Sequence, residues 1–294
     1  MPSTLTLKAH AKINLNLKIL GFRPDGFHNI DSIMQSISLC DIVTLEEISS
    51  GIRLACEDKT VPQGKDNLAY KAAELFIRRL KIAKGINILI EKNIPVAAGL
   101  AGGSADAAAV LFGLNEIWKT NLETGELLTL ASEVGADVPF CLIGGTARCM
   151  GKGEIIEATK PLAKTWMILI KPEIKVSSEW AYETYDLEIG YEEVSREKPQ
   201  RLYDLELIND LERVVIKYHP EIREVKGWLL KEGIIAALMS GSGPTVVGFA
   251  SDQKSARNIF DKAKEEYKSV YLAVTVPRGV EVLGAEEWVP EIEV

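Results

Sequence analysis

The segment "PVAAGLAGGSADAAAVLFGLN", residues Pro95 to Asn115, is a glycine-rich loop that leads directly into an apolar run. Six of its first ten residues are glycine or alanine. A strand-like segment ends at Pro95, and the pattern after Gly103 is typical of a helix. Backbone N–H groups converge where such a loop opens a helix, and the helix dipole adds partial positive charge. The small side chains therefore predict either a phosphate site or a close helix contact.

The loop matches neither of two widespread nucleotide-binding motifs. A Walker A loop continues into Lys-Ser or Lys-Thr after its last glycine, whereas Ser104 and Ala105 follow Gly103 here. The glycines stand at positions 99, 102 and 103, which does not give the GxGxxG spacing of a dinucleotide-binding turn. A phosphate site built on this loop would therefore belong to another class.

The bulk composition is that of an ordinary globular protein with one large domain or two smaller ones. The chain has 294 residues, is 47 % apolar and 26 % charged, and carries a formal net charge of −8. Because no basic surface is indicated, we expect small-molecule partners and neither nucleic acid nor membrane. No leader or membrane-spanning run is visible, so we expect a cytoplasmic protein. Its cysteines should be free thiols: Cys40, Cys56, Cys141 and Cys149.

Strand-like and helix-like segments alternate in both halves of the chain, and hairpins recur between them. Residues 145–158, "GTARCMGKGEIIEA", predict a hairpin, and residues 177–188, "SSEWAYETYDLE", predict a helix. The polar stretch "YEEVSREKPQR", residues 191–201, predicts a surface loop. This pattern favours an α+β fold with mixed or antiparallel sheets over a doubly wound parallel sheet. We place the domain boundary in the region 150–165, giving domains of residues 1–157 and 158–294.

Four polar residues are candidates for a functional site, each with a plainer alternative. Lys12 and Asn14 lie two residues apart in a strand-like stretch and so share one face. A strand lysine is usually exposed, but small and apolar neighbours make this pair a candidate polar site. His28 follows the turn "RPDG" and is either a surface turn histidine or a binding residue. Asp137, among apolar neighbours, is either a helix or turn cap or a carboxylate held in a cleft.

A second cluster of small residues, "MSGSGPTVVGF", runs from Met239 to Phe249. It predicts either a tight turn alone or a second surface that lines a phosphate or a substrate. The residues available for binding are Ser240, Gly241, Ser242 and Gly243.

Taken together and in this order, these stretches resemble the GHMP kinase superfamily. The loop "PVAAGLAGGS" takes the place of a Walker A loop, and "MSGSGPTVV" is similar to the C-terminal glycine-rich motif. The stretches "AKINLNLKILGFRPDGFHNI" and "GADVPFCLIGGTARCMGKGE" are similar to one branch of that superfamily. The resemblance covers nearly the whole chain.

The resemblance implies a two-domain fold with the active site in the cleft between an ATP-binding N-terminal domain and a substrate-binding C-terminal domain. It implies a monomer or homodimer that transfers the ATP γ-phosphoryl group to the tertiary 2-hydroxyl of a cytidine-diphosphate-linked methylerythritol, in isoprenoid precursor synthesis. Mg²⁺ would enter as the ATP complex, and we expect no separate metal site in the protein.

The same resemblance implies roles for individual residues. Asp137 matches the catalytic aspartate and Lys12 its partner lysine. For the substrate, Asn14 matches a contact, His28 the residue that reads the cytosine edge, and Phe27 an aromatic that stacks on cytosine. The second face of that stack matches Tyr182, with Ser240, Gly241, Ser242 and Gly243 also assigned to the substrate. ATP would be bound near adenine by Asn67 and along the loop by Pro95, Val96, Ala97, Ala98, Gly99, Leu100, Ala101, Gly102, Gly103 and Ser104.

One position departs from the superfamily pattern. Many members have two consecutive serines in the loop, whereas here Ser104 is followed by Ala105. Backbone N–H groups would then carry the phosphates, and we interpret Asp106 as a helix cap rather than a metal ligand.

Two rival functions remain from the sequence. One is another GHMP kinase that acts on mevalonate, homoserine or a sugar. The other is a catalytically silent nucleotide-binding protein, although pure binding would require neither Lys12 nor Asp137.

Overall fold

The computed structural model describes residues 3–189 and 199–284, and it has the predicted α+β architecture. Among these residues the strands are β1 Thr4–Phe22, β2 His28–Ile48, β3 Ile52–Cys56, β4 Gly85–Glu91, β5 Thr146–Gly151, β6 Ile155–Ala158, β7 Trp166–Ile170, β8 Gln200–Leu202, β9 Leu205–Asn209, β10 Ala236–Met239, β11 Val246–Phe249, β12 Val270–Val274 and β13 Val280–Val282. The helices are α1 Leu68–Leu80, α2 Gly102–Trp118, α3 Thr124–Val134, α4 Val138–Ile143, α5 Ser178–Glu188, α6 Asp210–Tyr218, α7 Pro220–Lys231 and α8 Gln253–Glu266.

Two sheets organise the molecule, and both carry the predicted mixed or antiparallel pairing. The larger sheet has the order β3-β4-β2-β1-β9-β8, with β13 added to β1 and the hairpin β5-β6 added to β2. Its β3–β4 and β1–β9 pairs are parallel, and its other pairs are antiparallel. The smaller sheet, in the order β10-β11-β7-β12, is antiparallel throughout. The fold class predicted from the sequence is therefore confirmed.

Helix α2 is buried against the larger sheet, which explains the apolar run that follows the glycine loop. A Cβ atom added at Gly113 would lie 2.4 Å from a Leu45 methyl carbon and 2.7 Å from a Leu7 methyl carbon. Glycine therefore lets the helix approach strands β1 and β2 closely. The helix-packing interpretation of the small residues is thus correct for the middle of α2.

A second apolar core lies between the smaller sheet and helices α5 to α8. The proposed boundary between residues 157 and 158 stays a prediction. The larger sheet contains strands from both sides of this boundary. Strand β6 spans the boundary, and β9 and β13 pair with β1. Chain position alone therefore does not assign each strand to one half of the molecule.

The remaining predictions about chain segments have mixed outcomes. The hairpin over 145–158 is confirmed as β5 and β6, and the helix over 177–188 is confirmed as α5. Most of the loop predicted over 191–201 lies outside the described residues, but Gln200 and Arg201 belong to strand β8. The four cysteines are free thiols. Within the described parts of the chain, no helix has the length and apolarity needed to span a bilayer.

Asn209 joins the end of β9 to helix α6 and to the turn after β10. Its side-chain oxygen accepts hydrogen bonds from the N–H groups of Leu211 and Glu212, and its amide donates to the carbonyls of Met239 and Gly241 at 2.7 and 2.8 Å. One buried side chain therefore caps the helix and holds the second small-residue cluster in place.

We expect Asn209→Ala to lower the free energy of unfolding by about 2 kcal/mol, because a cap is lost and two carbonyls lose their donor. Urea unfolding of the purified protein measures this loss. Ser177→Ala is the matched control, because Ser177 caps α5 through a single exposed hydrogen bond to Trp180 N–H. An equal effect of the two variants would contradict the bridging role of Asn209.

Candidate active site

A cleft of about 1040 Å³ lies where the glycine loop, strands β1 and β2, helices α4 and α5 and the turn after β10 meet. It collects most of the residues singled out in the sequence, although they are spread over more than 200 positions. Those that line it are Lys12, Asn14, Phe27, His28, Asn67, Pro95, Val96, Ala97, Ala98, Gly99, Ala101, Gly102, Gly103, Ser104, Asp137, Tyr182, Gly241 and Ser242.

Lys12 and Asn14 form a buried polar network at the centre of this cleft. Lys12 is 4 % exposed, and its Nζ donates to Asn14 Oδ1 at 2.7 Å. The amide of Asn14 donates to Ser32 Oγ at 2.8 Å, and Ser32 Oγ donates to the Asn16 carbonyl at 2.5 Å. Because every side chain in this series of hydrogen bonds has a partner, the ammonium group of Lys12 is fixed in position.

Asp137 faces this ammonium group. Its carboxylate lies 3.5 Å from Lys12 Nζ and is one-third exposed, whereas the lysine side chain is buried. Asp137 occupies the N-cap position of α4, but its side chain makes no capping hydrogen bond. The interpretation of Asp137 as a cap is therefore wrong for its side chain, which does not bond to the helix. The carboxylate instead faces the cleft beside Lys12.

The glycine loop packs directly on the turn after β10. Gly99 has φ +74°, and a Cβ atom there would lie 2.2 Å from the carbonyl oxygen of Ser240. The hydroxyl of Ser240 donates to the Gly99 carbonyl at 3.0 Å. The loop is also tied to β1, because the Lys12 N–H donates to the Leu100 carbonyl at 3.1 Å. The two small-residue clusters are thus one structural unit that holds its backbone next to Lys12.

Three residues assigned to binding do not line the cleft. Leu100 is buried in the apolar core, and Ser240 and Gly243 contact the loop from behind. Leu100 packs into the core through its side chain, Ser240 holds the loop through its hydroxyl, and Gly243 contacts the loop through its backbone. Their assignment to ATP or substrate binding stays a prediction.

Beneath the loop lies a buried charged group that no local sequence pattern indicates. Lys92 Nζ donates to carboxylate oxygens of both Asp41 and Asp106, the latter at 2.9 Å. Asp41 also accepts from the N–H groups of Asn93 and Ile94 at 2.6 and 2.8 Å. These contacts tie the chain just before the loop to strand β2.

Asp106 is not a helix cap. Helix α2 begins at Gly102, and its N-cap residue Ala101 makes no side-chain cap hydrogen bond. Asp106 is 2 % exposed, and its Oδ1 has no hydrogen-bond partner among the described residues. Burial raises the pKa of Asp106 to about 8 despite the opposing charge of Lys92. Burial alone would lower the pKa of Lys92, but Asp106 and Asp41 together raise it above its ordinary value.

Asn67 has its polar atoms used within the fold. Its side-chain oxygen accepts from the Ala69 N–H at 2.8 Å as the N-cap of α1, and its amide donates to the Pro62 carbonyl at 2.9 Å. The residue still lines the cleft. Its position near adenine stays a prediction.

The opposite end of the cleft carries aromatic rings. His28 is 8 % exposed, stacks on Tyr182 with ring centres 4.7 Å apart, and places Nε2 2.9 Å from Asp186 Oδ1. Phe27 is half-exposed, and Lys152 Nζ lies 4.8 Å from its ring centre. Burial, with a smaller effect of Asp137, raises the pKa of the Tyr182 phenol well above its ordinary value, so this phenol stays neutral.

Two family models match the chain. The model described as GHMP kinases N terminal domain matches residues 67–145, and the one described as GHMP kinases C terminal matches residues 193–269. The first range contains the glycine loop, and the second contains the turn after β10. Each matched range therefore includes part of the cleft, whereas Lys12, Asn14 and His28 lie before the first range.

Similar proteins agree with these models. A 4-diphosphocytidyl-2-C-methyl-D-erythritol kinase of Macrococcus caseolyticus is 44 % identical over 90 % of this chain and 96 % of its own length. A crystal structure of 4-(cytidine 5'-diphospho)-2C-methyl-D-erythritol kinase aligns with a TM-score of 0.78 and 31 % identity, over 92 % of this chain and 99 % of that one. A homoserine kinase structure from Cytophaga hutchinsonii shares the fold with a TM-score of 0.72 and 19 % identity, over 95 % and 97 % of the two chains. The chain belongs to the GHMP kinase family, in the branch of relatives named 4-diphosphocytidyl-2-C-methyl-D-erythritol kinase.

Proposed function

We propose that this chain transfers the γ-phosphoryl group of ATP to the 2-hydroxyl of 4-diphosphocytidyl-2-C-methyl-D-erythritol, with Asp137 and Lys12 at the reacting atoms. The observation that carries the assignment of these residues is the 3.5 Å approach of Lys12 Nζ to the Asp137 carboxylate, beside the glycine loop. The relatives that share this activity in name are 41–44 % identical over at least 90 % of the chain. Because the proposed reaction consumes ATP, which the cytoplasm supplies, we propose that the protein acts in the cytoplasm.

Asp137 is the group that accepts the proton of the acceptor hydroxyl. A tertiary alcohol is a poor nucleophile, so it must be aligned with the γ-phosphorus and relieved of its proton as the new bond forms. The partly exposed carboxylate of Asp137 is open to the cleft, and its capping position leaves both oxygens free of the helix. Lys12, held by Asn14, places positive charge where negative charge develops on the reacting oxygens.

The glycine loop binds the triphosphate through its backbone. Ala97 and Ala101 have φ +51° and +55°, and with Gly99 they turn the chain repeatedly just before helix α2 begins. Such turns bring successive N–H groups to one concave surface, and the N-terminus of the helix adds partial positive charge. Larger side chains on this surface would hold the phosphates away from these donors.

The residues beside the loop fit the Mg²⁺ ion that accompanies ATP. Mg²⁺ prefers oxygen donors and usually takes only one or two from the protein, with the rest from phosphate and water. Oδ1 of Asp106 is buried without a partner among the described residues, and the residue itself lines the cleft, as does Ser104 two positions earlier in the chain. Asp106 is the side chain that would supply a protein oxygen to the ion, because its Oδ1 is the buried acceptor left without a partner among the described residues. When bound, the ion would offset negative charge on the phosphoryl oxygens.

The aromatic end of the cleft is the proposed site of the cytosine base. Phe27 offers an exposed flat ring for stacking, and His28 offers a ring nitrogen to the base edge. Tyr182 adds a neutral phenol ring against His28. We propose that these three residues distinguish this substrate from the smaller acceptors of other GHMP kinases.

ATP consumption measured with three acceptors in parallel tests this function. The acceptors are 4-diphosphocytidyl-2-C-methyl-D-erythritol, mevalonate and homoserine. We expect turnover with the first only, because only it carries a base for Phe27 and His28. Turnover with mevalonate or homoserine alone would replace the proposal with another GHMP kinase activity, and no turnover with any of them would favour a silent nucleotide-binding protein.

We expect Phe27→Ala and His28→Ala to raise KM for the cytidylyl substrate by about tenfold or more while changing KM for ATP little. Loss of a base stack costs roughly 1–3 kcal/mol, and loss of a base-reading group leaves substrate atoms unpaired. Steady-state kinetics with each substrate varied at saturation of the other measures the two effects. An equal rise of both KM values would contradict a base site at this end of the cleft.

A further inference from the structure

The imidazole ring of His28 is held on three sides. Its Nε2 lies 2.9 and 3.0 Å from the two carboxylate oxygens of Asp186 on helix α5. One ring face stacks on Tyr182 at an interplanar angle of 24°, and the ring meets Phe22 edge-on, with centres 5.4 Å apart. The ring therefore has one orientation before any base arrives.

The partner on Nε2 determines what the other ring nitrogen does. An ionised carboxylate only accepts hydrogen bonds, so Nε2 must carry the proton in its contact with Asp186. In a neutral imidazole, Nδ1 is then an acceptor. No hydrogen bond reaches Nδ1 from residues 3–189 or 199–284, and Nδ1 is not among the buried polar atoms without a partner. Because His28 lines the cleft, this nitrogen is accessible to a bound molecule.

An acceptor at this place discriminates between pyrimidines. Cytosine carries an amino group at position 4, which donates, whereas a uracil-type base carries a carbonyl oxygen there, which accepts. We propose that Asp186 is a positioning residue for specificity: it selects the His28 tautomer whose Nδ1 accepts from the exocyclic amino group and repels a carbonyl. This inference rests on the proposed function, because it takes the base of the acceptor substrate to lie against His28.

A merely structural contact between α5 and β2 makes a different prediction. Removal of such a contact would lower stability, or raise KM for either base alike. The tautomer mechanism requires instead that the preference for cytosine over uracil falls. Asp186→Asn separates the two, because an amide can accept from Nε2–H or donate to Nε2 and so permits both tautomers.

The experiment compares kcat/KM for the cytidine-diphosphate substrate and its uridine-diphosphate analogue at saturating ATP. For Asp186→Asn we expect the ratio of the two values to fall about tenfold or more, with KM for ATP unchanged. Glu183→Gln is the matched control, since it removes one negative charge from the same helix and the same side of the cleft. We expect its ratio to equal that of the wild type.

Two further measurements connect the effect to His28 itself. In a His28→Ala background, Asp186→Asn should not change the ratio again, because the proposed effect of Asp186 on base preference passes through the imidazole. Nitrogen-15 NMR of the His28 ring should show protonation at Nε2 in the wild type and a tautomer mixture in Asp186→Asn.

The outcomes separate this inference from the proposed function. A wild type that does not phosphorylate the cytidine substrate overturns the proposed function. An active wild type without preference for cytosine, or an Asp186→Asn variant that keeps the full preference, overturns the role of Asp186 alone.

Discussion

Asp137→Asn is expected to lower kcat by about 100-fold or more while leaving ATP binding nearly unchanged. Loss of a general base typically costs 10²–10⁴ in rate. The amide keeps the size of the side chain but does not take up the proton of the acceptor hydroxyl. Because the Asp137 side chain makes no capping hydrogen bond, its replacement should not unfold helix α4. Single-turnover kinetics with saturating substrates and ATP titration by calorimetry measure the two quantities.

The control for this variant is Glu179→Gln, another acidic residue that lines the cleft. It removes the same charge, and among the described residues Lys12 is ion-paired with Asp137 and not with Glu179, so a general electrostatic effect on ATP would appear in both variants. Turnover of Asp137→Asn within about threefold of the wild type would exclude Asp137 as the base. A comparable loss in both variants would assign the effect to the charge of the cleft rather than to proton transfer.

The elements that build the site can be predicted where the sequence pattern of the segment itself determines its structure. Small residues after Pro95 and an apolar run after Gly103 predict a loop and a buried helix without any tertiary knowledge, and both are observed. The hairpin around residue 151 follows in the same way from alternation and glycine. Gly99 is different, because its small size serves a contact with Ser240, 141 positions away. No local pattern contains that contact.

The sequence does not reveal which charged residues contact each other when they lie far apart in the chain. Asp106 follows the loop closely enough to suggest a cap, but the helix begins at Gly102, so its side chain lies beyond the capping positions and turns toward Lys92. Asp186 stands in a polar stretch of α5 and meets His28 across 158 positions. Their partners come from other elements, so only the assembled fold identifies them.

Gly99→Ala is the second variant for which we expect a large effect, because it tests whether the two small-residue clusters work as one unit. The added Cβ would lie 2.2 Å from the Ser240 carbonyl oxygen and 3.0 Å from that of Gly243, so backbone must move. The left-handed φ of +74° adds roughly 1–2 kcal/mol for an L-residue. A backbone shift of about 1 Å beside the reacting groups can cost 10²-fold in rate. We therefore expect kcat/KM for ATP to fall about 100-fold or more.

Gly51→Ala separates strain from collision. Gly51 has nearly the same φ, +79°, but a Cβ atom there would meet no other atom within 4 Å. Gly51→Ala should therefore carry only the cost of a left-handed φ for an L-residue. We expect a small decrease in its melting temperature and an unchanged kcat/KM for ATP. Comparison of thermal unfolding and ATP kinetics for the two variants isolates the contact between the loop and the turn after β10. The loop does not depend on that turn for its shape if kcat/KM for ATP falls equally in both variants, or if Gly99→Ala leaves kcat/KM for ATP unchanged.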